Sequence, residues 1–262
     1  MTDTTSTYLN ITNNLASMQA ATAKSPDVKV ATQYYKANIG KATSIDSFVN
    51  NYRLLSYALT AYGMEDQIQN TGLIKKVLQG GTTSSKSLAN TLNDKRFLAF
   101  AKAFDFVGSG AASVSTSSAV ARTTAAYTEQ KLEDNAGQQN PGVQMALYFK
   151  RIASTITDPY QILGNTKLTQ VIQTALGMPS VASGSANALD NQASAIKTAL
   201  NGMKDLQNPT KVNQLAQRFT ANYDMQNAST TTSNADILFG GSSGYGVSES
   251  LLSSIQGLTL GG

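Results

Sequence analysis

Residues 34–64 of this chain match residues 148–178 without a gap, at an offset of 114 positions. Nine of the 31 aligned positions are identical, including Asn51 with Asn165 and Gly63 with Gly177. Ordinary residue frequencies would give about two identities over this length. We interpret the match as an internal duplication. Each copy would then hold roughly 80 to 100 residues, enough for a small helical unit with its own core.

The match continues further along the chain, with one residue inserted. Phe97, Phe100, Ala101 and Phe104 lie at i, i+3, i+4 and i+7, a spacing that places them on one face of a helix. The equivalent positions of the second copy are Val212, Leu215, Ala216 and Phe219. No stretch of useful length alternates between apolar and polar residues as a strand would. The sequence therefore predicts an all-α fold.

Start and stop signals for helices also recur in both copies. Ser44 is the predicted N-cap of a long helix that carries Phe48, Tyr52, Leu55, Leu59 and Tyr62 and ends at Gly63. In the second copy, Asp158 and Pro159 open the equivalent helix and Gly177 closes it.

These patterns predict two tandem copies joined by a linker, followed by a polar tail that ends in a short amphipathic helix. The predicted divisions are an N-terminal amphipathic segment at 1–25 whose first seven residues are loose, repeat 1 at 26–107, a flexible Gly/Ala/Ser-rich linker plus helix at 108–140, repeat 2 at 141–225, and a low-complexity tail at 226–262.

Composition excludes most common active sites. The 262 residues include no Cys, His or Trp, which removes thiolate nucleophiles, the usual zinc and haem ligands, and any Ser-His-Asp triad. Net charge is +4, but the basic residues are scattered rather than gathered into the stripe that nucleic acid requires. The N-terminus shows no Sec-type signal, and no stretch is apolar enough to span a membrane. We expect no nucleic-acid partner, no membrane span and no small-molecule substrate.

Two local patterns suggest chemistry without establishing it. Residues 80–87 differ from a P-loop by one missing glycine and follow a helix rather than a strand, so we predict an inter-helix loop. The acidic residues at 65, 66, 129, 133 and 134 are predicted to lie on solvated helix surfaces. No catalytic, cofactor-binding or metal-binding residue is predicted, and no cofactor.

Narrow apolar stripes near both ends of the chain are the candidate partner-binding sites. The N-terminal stripe consists of Tyr8, Ile11, Leu15 and Met18, and the C-terminal stripe consists of Val247, Leu251, Ile255 and Leu258. Each stripe has helical spacing suited to a partner helix. The alternative for each is packing against the chain's own helical body.

Several segments resemble a known family. They are 34–40 (YYKANIG), 44–48 (SIDSF), 61–66 (AYGMED), 87–97 (SLANTLNDKRF), 133–140 (EDNAGQQN), 146–149 (ALYF) and 173–178 (QTALGM). Together they resemble an alphaproteobacterial family of unknown function whose members are commonly encoded among flagellar genes, some labelled as flagellar basal-body rod proteins. The resemblance covers about residues 8–225 and implies no catalytic residue.

The resemblance implies a non-enzymatic structural or assembly component of the bacterial flagellum. Such a protein would be exported without a Sec signal and would bind other flagellar proteins, or further copies of itself, through its terminal helices. Scarce charge and abundant Ser, Thr, Asn and Gln agree with an axial component. One alternative is a cytoplasmic export chaperone or assembly regulator. A more remote alternative is a cell-wall hydrolase.

Overall fold

The structure, a computed structural model, describes residues 3–179 and 186–228. This part of the chain is helical and contains no β-strand. Its α-helices are α1 Thr4–Asn13, α2 Leu15–Lys24, α3 Pro26–Asn38, α4 Ile45–Val49, α5 Tyr52–Ala61, α6 Thr71–Gly80, α7 Leu88–Thr91, α8 Arg96–Ala103, α9 Ser117–Gln139, α10 Pro141–Ile152, α11 Pro159–Leu163, α12 Thr166–Leu176, α13 Ala186–Ala199 and α14 Pro209–Ala228. The C-terminal stripe lies outside the described residues.

Helix α1 begins earlier than the sequence indicated. Residues 1–7 were expected to be loose, but the Asp3 carboxylate accepts hydrogen bonds from the backbone N–H groups of Thr5 and Ser6 and caps a helix that starts at Thr4. The N-terminal stripe also spans two helices rather than one, because the backbone leaves helical geometry at Asn14.

The first half of the chain packs around one apolar cluster, here called the first core. It draws on α3 to α8 and includes Phe48, Phe100 and Phe104, all within 1% of full burial. The rings of Phe48 and Phe104 stack with centroids 5.0 Å apart. The predicted aromatic face of α8 is therefore confirmed as core.

The prediction of one long helix after Ser44 was wrong in one respect, because this stretch forms two helices. Helix α4 ends at Val49, and Asn51 caps α5 by accepting a hydrogen bond from the Leu54 N–H at 3.1 Å. The break changes the phase of the helical face. Tyr52, which one continuous helix would place on the same face as Phe48 and Leu55, is consequently 65% exposed.

The predicted flexible linker holds ordered structure. A 3₁₀ helix forms at Ala111–Ser115, and Val114 is buried in the first core. Helix α9 then runs for 23 residues, past Gly137, where the sequence indicated a break. Its N-terminal part contributes Tyr127 to the first core, and its C-terminal part contributes Leu132 to the next cluster. Helix α9 therefore contacts both cores.

The second core gathers the second half of the chain together with α1. Phe149, Ile172, Ala216 and Phe219 are fully buried in it. Helix α14 opens at the predicted place, where the Asn208 side chain accepts hydrogen bonds from backbone N–H groups of the first turn.

Helix bounds recur at the offset found in the sequence. The 3₁₀ helices at Ile39–Lys41 and Ala153–Thr155 are 114 residues apart, and so are the starts of α4 and α11 and of α5 and α12. Asn165 caps α12 as Asn51 caps α5, and Gly63 and Gly177 both take positive φ, +64° and +67°. Only glycine adopts this backbone geometry without steric cost.

Candidate functional site

A buried ion pair joins α9 to α10. The Arg151 guanidinium donates to both carboxylate oxygens of Glu133, with Nε 2.6 Å from Oε1 and Nη2 2.9 Å from Oε2, and Nη2 also donates to Gln130 Oε1 at 2.8 Å. Glu133 is 2% exposed. Burial raises the pKa of the Glu133 carboxyl, and the hydrogen bonds and charge of Arg151 oppose that rise.

The prediction that Glu133 lies on a solvated helix surface was therefore wrong. Its partner lies 18 residues away on another helix, so spacing within α9 alone could not show the pairing. The geometry favours a structural role for Glu133, in which its ion pair with Arg151 holds α9 against α10. A carboxylate held by two guanidinium hydrogen bonds has little capacity left to act as a base.

A second charged cluster surrounds Arg96 at the start of α8. Its guanidinium donates to the carboxylates of Asp94 at 2.7 Å and Asp66 at 3.0 Å, and to the carbonyl oxygen of Gly63. Burial alone would lower the pKa of Arg96, but the two carboxylates raise it. These contacts fasten the turn after α5 to α8.

A third polar cluster, here called the clasp, ties the N-terminus to α14. The Asp224 carboxylate accepts from the backbone N–H of Thr4 at 3.0 Å and of Thr5 at 3.1 Å. Asn140 donates from Nδ2 to Thr4 Oγ1 at 2.8 Å. A Cβ added at Gly142 would lie 2.6 Å from the Tyr223 ring and 2.9 Å from Thr4 Cγ2, so glycine permits this close approach.

Two open grooves lie on the surface. One, of about 700 Å³, runs between α12 and α14 and is lined by residues that include Gln170, Gln173 and Met178. The other, of about 780 Å³, lies between α3 and α9 and is here called the α3/α9 groove. Among the described residues that line it, the charged ones are Lys29 and Lys36.

The N-terminal stripe lies inside the protein. Tyr8 and Ile11 are buried in the second core, 1% and 8% exposed, and Leu15 and Met18 are partly buried against it. In this arrangement the stripe covers the chain's own core, the alternative left open by the sequence, rather than presenting a surface to a partner. Tyr8 and Ile11 are therefore not accessible in this arrangement, and partner binding by the stripe stays a prediction.

The segment that resembles a P-loop is a loop between α6 and α7, as predicted. The Asn90 side chain fills it, donating from Nδ2 to the carbonyl oxygens of Thr82 and Ser84 at 2.9 Å. Within residues 3–179 and 186–228, no group of three or more acidic side chains could hold a metal ion. In the same described ranges, no helix is long and apolar enough to cross a membrane.

Comparison with known proteins is informative at the level of family. Residues 61–212, more than half of the chain, match the family described as "Protein of unknown function (DUF1217)". The chain belongs to the DUF1217 family. The match spans the Glu133–Arg151 pair and the Arg96 cluster, whereas Thr4, Asp224 and the α3 wall of the α3/α9 groove lie outside it.

A solved relative of this DUF1217 protein is AGR_C_984 from Agrobacterium tumefaciens, known from an X-ray crystal structure and described as a structural genomics target. The two chains are 38% identical and superpose with a TM-score of 0.77, over 86% of this chain and 96% of that one. No curated protein matches the chain. The expected membership of a family of unknown function is thus confirmed, and the flagellar association stays a prediction.

Proposed function

We propose that the chain is a non-enzymatic structural or assembly component of the bacterial flagellum. The observation that carries the proposal is the sequence resemblance to a family whose members are commonly encoded among flagellar genes. The structure adds support of a general kind. Glu133 and Arg96, which occupy its two charged clusters, are engaged in contacts that join helices.

The C-terminal stripe is the part of the chain that would contact other flagellar subunits. The N-terminal stripe already covers the second core, so its use by a partner would expose Tyr8 and Ile11. The C-terminal stripe follows a tail rich in Ser, Thr, Asn and Gly, and its apolar residues recur at helical spacing. A helix of this kind binds by laying its apolar side into a groove.

We also infer that the body of the protein consists of two tandem copies of one helical unit, 26–107 and 141–225. Matching helix bounds at the offset of 114 support this, as do the equivalent caps at Asn51 and Asn165. The hydroxyl of Tyr34 donates to Asn51 at 3.3 Å, and that of Tyr148 accepts from Asn165 at 3.0 Å. The rest of the chain would then be additional to the two copies, and it consists of the segments 1–25, 108–140 and 226–262.

Mass spectrometry of sheared, detergent-washed flagella, set against the cytoplasmic fraction, tests the functional proposal. We expect the chain in the flagellar fraction at near-stoichiometric amounts. Leu251→Asp with Ile255→Asp should stop its incorporation, while Ser250→Asp with Ser254→Asp adds the same two charges beside the stripe and serves as the matched control. A chain found only in the cytoplasm, bound to one exported client, would favour an export chaperone instead.

A further inference from the structure

The α3/α9 groove has the form of a seat for a helix. Along α9 its floor consists of Val120 and of small side chains at i, i+4, i+7, i+8 and i+11, which lie on one side of a helix. The small residues are Ser117, Ala121, Thr124, Ala125 and Thr128. Eleven residues of helix rise by roughly 16 Å. Small side chains let a second helix axis approach closely, so the floor suits an incoming helix that carries large aliphatic residues.

In the second half of the chain, other helices cover the face of α10 that corresponds to the α3 wall of the groove. At the offset of 114, Lys29 and Gln33 of the groove wall correspond to Val143 and Leu147 of α10. Both are buried, 0% and 6% exposed, in the second core, where α10 packs against α1, α9 and α14. The equivalent face of α3 is left open and carries lysines.

We propose that the chain's own C-terminal stripe, Val247, Leu251, Ile255 and Leu258, docks as a helix in the α3/α9 groove. The stripe spans twelve residues from first to last, 247–258, as the groove floor does at 117–128, and it supplies large aliphatic side chains to a floor made mostly of serine, alanine and threonine.

Charge favours this occupant. Residues 229–262 contain Asp236 and Glu249 but no Lys or Arg, whereas the rest of the chain has 20 basic and 14 acidic residues, a net charge of +6 (20 − 14). No described residue that lines the groove between α12 and α14 is charged, so these residues offer the tail no comparable attraction. Lys29 and Lys36, which line the α3/α9 groove, would attract the negatively charged tail.

The connecting chain is long enough. Eighteen residues, 229–246, separate the end of α14 from the stripe, and fully extended they span roughly 60 Å. The groove reaches Ala23, near the end of α2, and α1 starts at the clasp on α14. Residues 4–24 form two helices with a combined length of roughly 31 Å, which bounds the distance that the tail must cover.

Docking in the same chain would withhold the stripe from partners until one displaces it. The inference rests on the proposed function only for the identity of that partner, because docking itself is a property of the isolated protein. A tether of this length holds the stripe at an effective concentration near the millimolar range, so even weak contacts would keep the groove occupied.

Disulfide trapping tests the inference cleanly, because the chain has no cysteine of its own. Ala121→Cys or Ala125→Cys, both at exposed positions, is combined with Leu251→Cys or Ile255→Cys in the full chain and oxidised mildly. We expect at least one pair to form an intramolecular disulfide about tenfold faster than the matched pair that places Cys at Gln170, in the other groove. Circular dichroism confirms that each variant is folded.

Three results would overturn the proposal. They are disulfides that join two chains, faster trapping at Gln170, and rates at Ala121 and Ala125 no higher than at Gln170. Thr124→Arg, which fills the groove floor, should slow trapping at Ala125 severalfold, and unchanged trapping would count against the groove as the seat. If the disulfide forms but the protein is absent from flagella, the docking stands and the proposed function is refuted. If the protein is found in flagella but no intramolecular disulfide forms, the proposed function stands and the docking is refuted.

Discussion

Glu133 lies on the buried side of α9 and contributes a charge to the protein interior. Arg151 compensates that charge through two short hydrogen bonds, and Gln130 accepts a further one. A buried pair of this kind adds little net stability compared with apolar residues of the same size, yet removal of one partner is costly. The two residues therefore act as a unit.

Glu133→Gln should lower the free energy of unfolding by about 3 kcal/mol, because Arg151 then keeps a buried charge without its counter-ion. Urea denaturation measures the change. Glu129→Gln, one turn earlier on α9 and only half-buried, should stay within about 0.5 kcal/mol of the unmodified chain. The double change Glu133→Leu with Arg151→Met should recover most of the loss, and failure to recover would contradict a purely structural role.

Gly142 is a position where the addition of a single methyl group should lower the stability of the fold. Gly142→Ala places a Cβ against Tyr223 and Thr4, and the overpacking should cost roughly 1–3 kcal/mol in thermal or chemical unfolding. Gly72→Ala, in the first turn of α6, meets no atom within 4 Å and should be neutral or stabilising by about 0.4–1 kcal/mol. Equal effects of the two changes would mean that the clasp tolerates a wider spacing.

At the scale of single elements, helix starts were easier to predict than helix interiors. Asp158 and Asn208 begin helices as predicted, because a side-chain oxygen that accepts from the first-turn N–H groups acts locally. The break at Asn51 was missed although the same rule applies to it. Its signal was present, since Asn51 and Asn165 are identical in the two copies and both cap helices.

Helix α9 shows why part of the site could not be predicted. Its buried side includes Thr123, Gln130 and Glu133, so the contrast between apolar and polar faces that marks a surface helix is absent. Burial of these residues depends on partners in other helices, such as Arg151. The apolar face of α14, in contrast, follows from spacing alone.

Acid should loosen the start of α1. The pKa of Asp3 lies below its usual value, because its carboxyl shares a hydrogen bond with the Asp224 carboxyl and accepts hydrogen bonds from Ser6 and Thr5. Because the folded pKa lies below the unfolded one, the stabilising contribution is present above pH 4 and is lost as the pH falls towards 2. The melting temperature should therefore drop more over this interval in the unmodified chain than in Asp3→Asn, which keeps a capping oxygen but cannot ionise.

Asp236→Asn removes the same charge from the tail and provides the control for this measurement. Identical pH profiles for the unmodified chain and Asp3→Asn would show that Asp3 contributes nothing to the acid sensitivity.

At the scale of the whole molecule, two cores share α9 and α1 completes the second of them. The all-α class and the existence of two apolar clusters were accessible from the sequence, because each of the two matched segments carries apolar residues at helical spacing. The packing of α1 in the second core could not be predicted from the sequence. Nothing near Tyr8 specifies a contact more than 130 residues away, such as the one between Thr4 and Asn140.

Hydrogen exchange should resolve the two cores. Phe219→Ala removes a fully buried ring from the second core and should lower the protection of amides in α1, α10, α12 and α14 by about 3–5 kcal/mol, while α3 to α8 keep theirs. Phe100→Ala, equally buried in the first core, should give the reverse pattern. Uniform loss of protection in both variants would show that α9 makes the body a single cooperative unit.

The clasp also determines how the protein would carry a mechanical load. Thr4 and Asp224 touch, so the two ends of the described chain leave the body at one place. A pull applied between them would act first on the few hydrogen bonds of Asp224 and then peel α1 from the second core. The first core lies outside that line of force and would stay folded while the clasp opened. Labels attached at residues 3 and 228 would begin close together and would separate at the first step of extension.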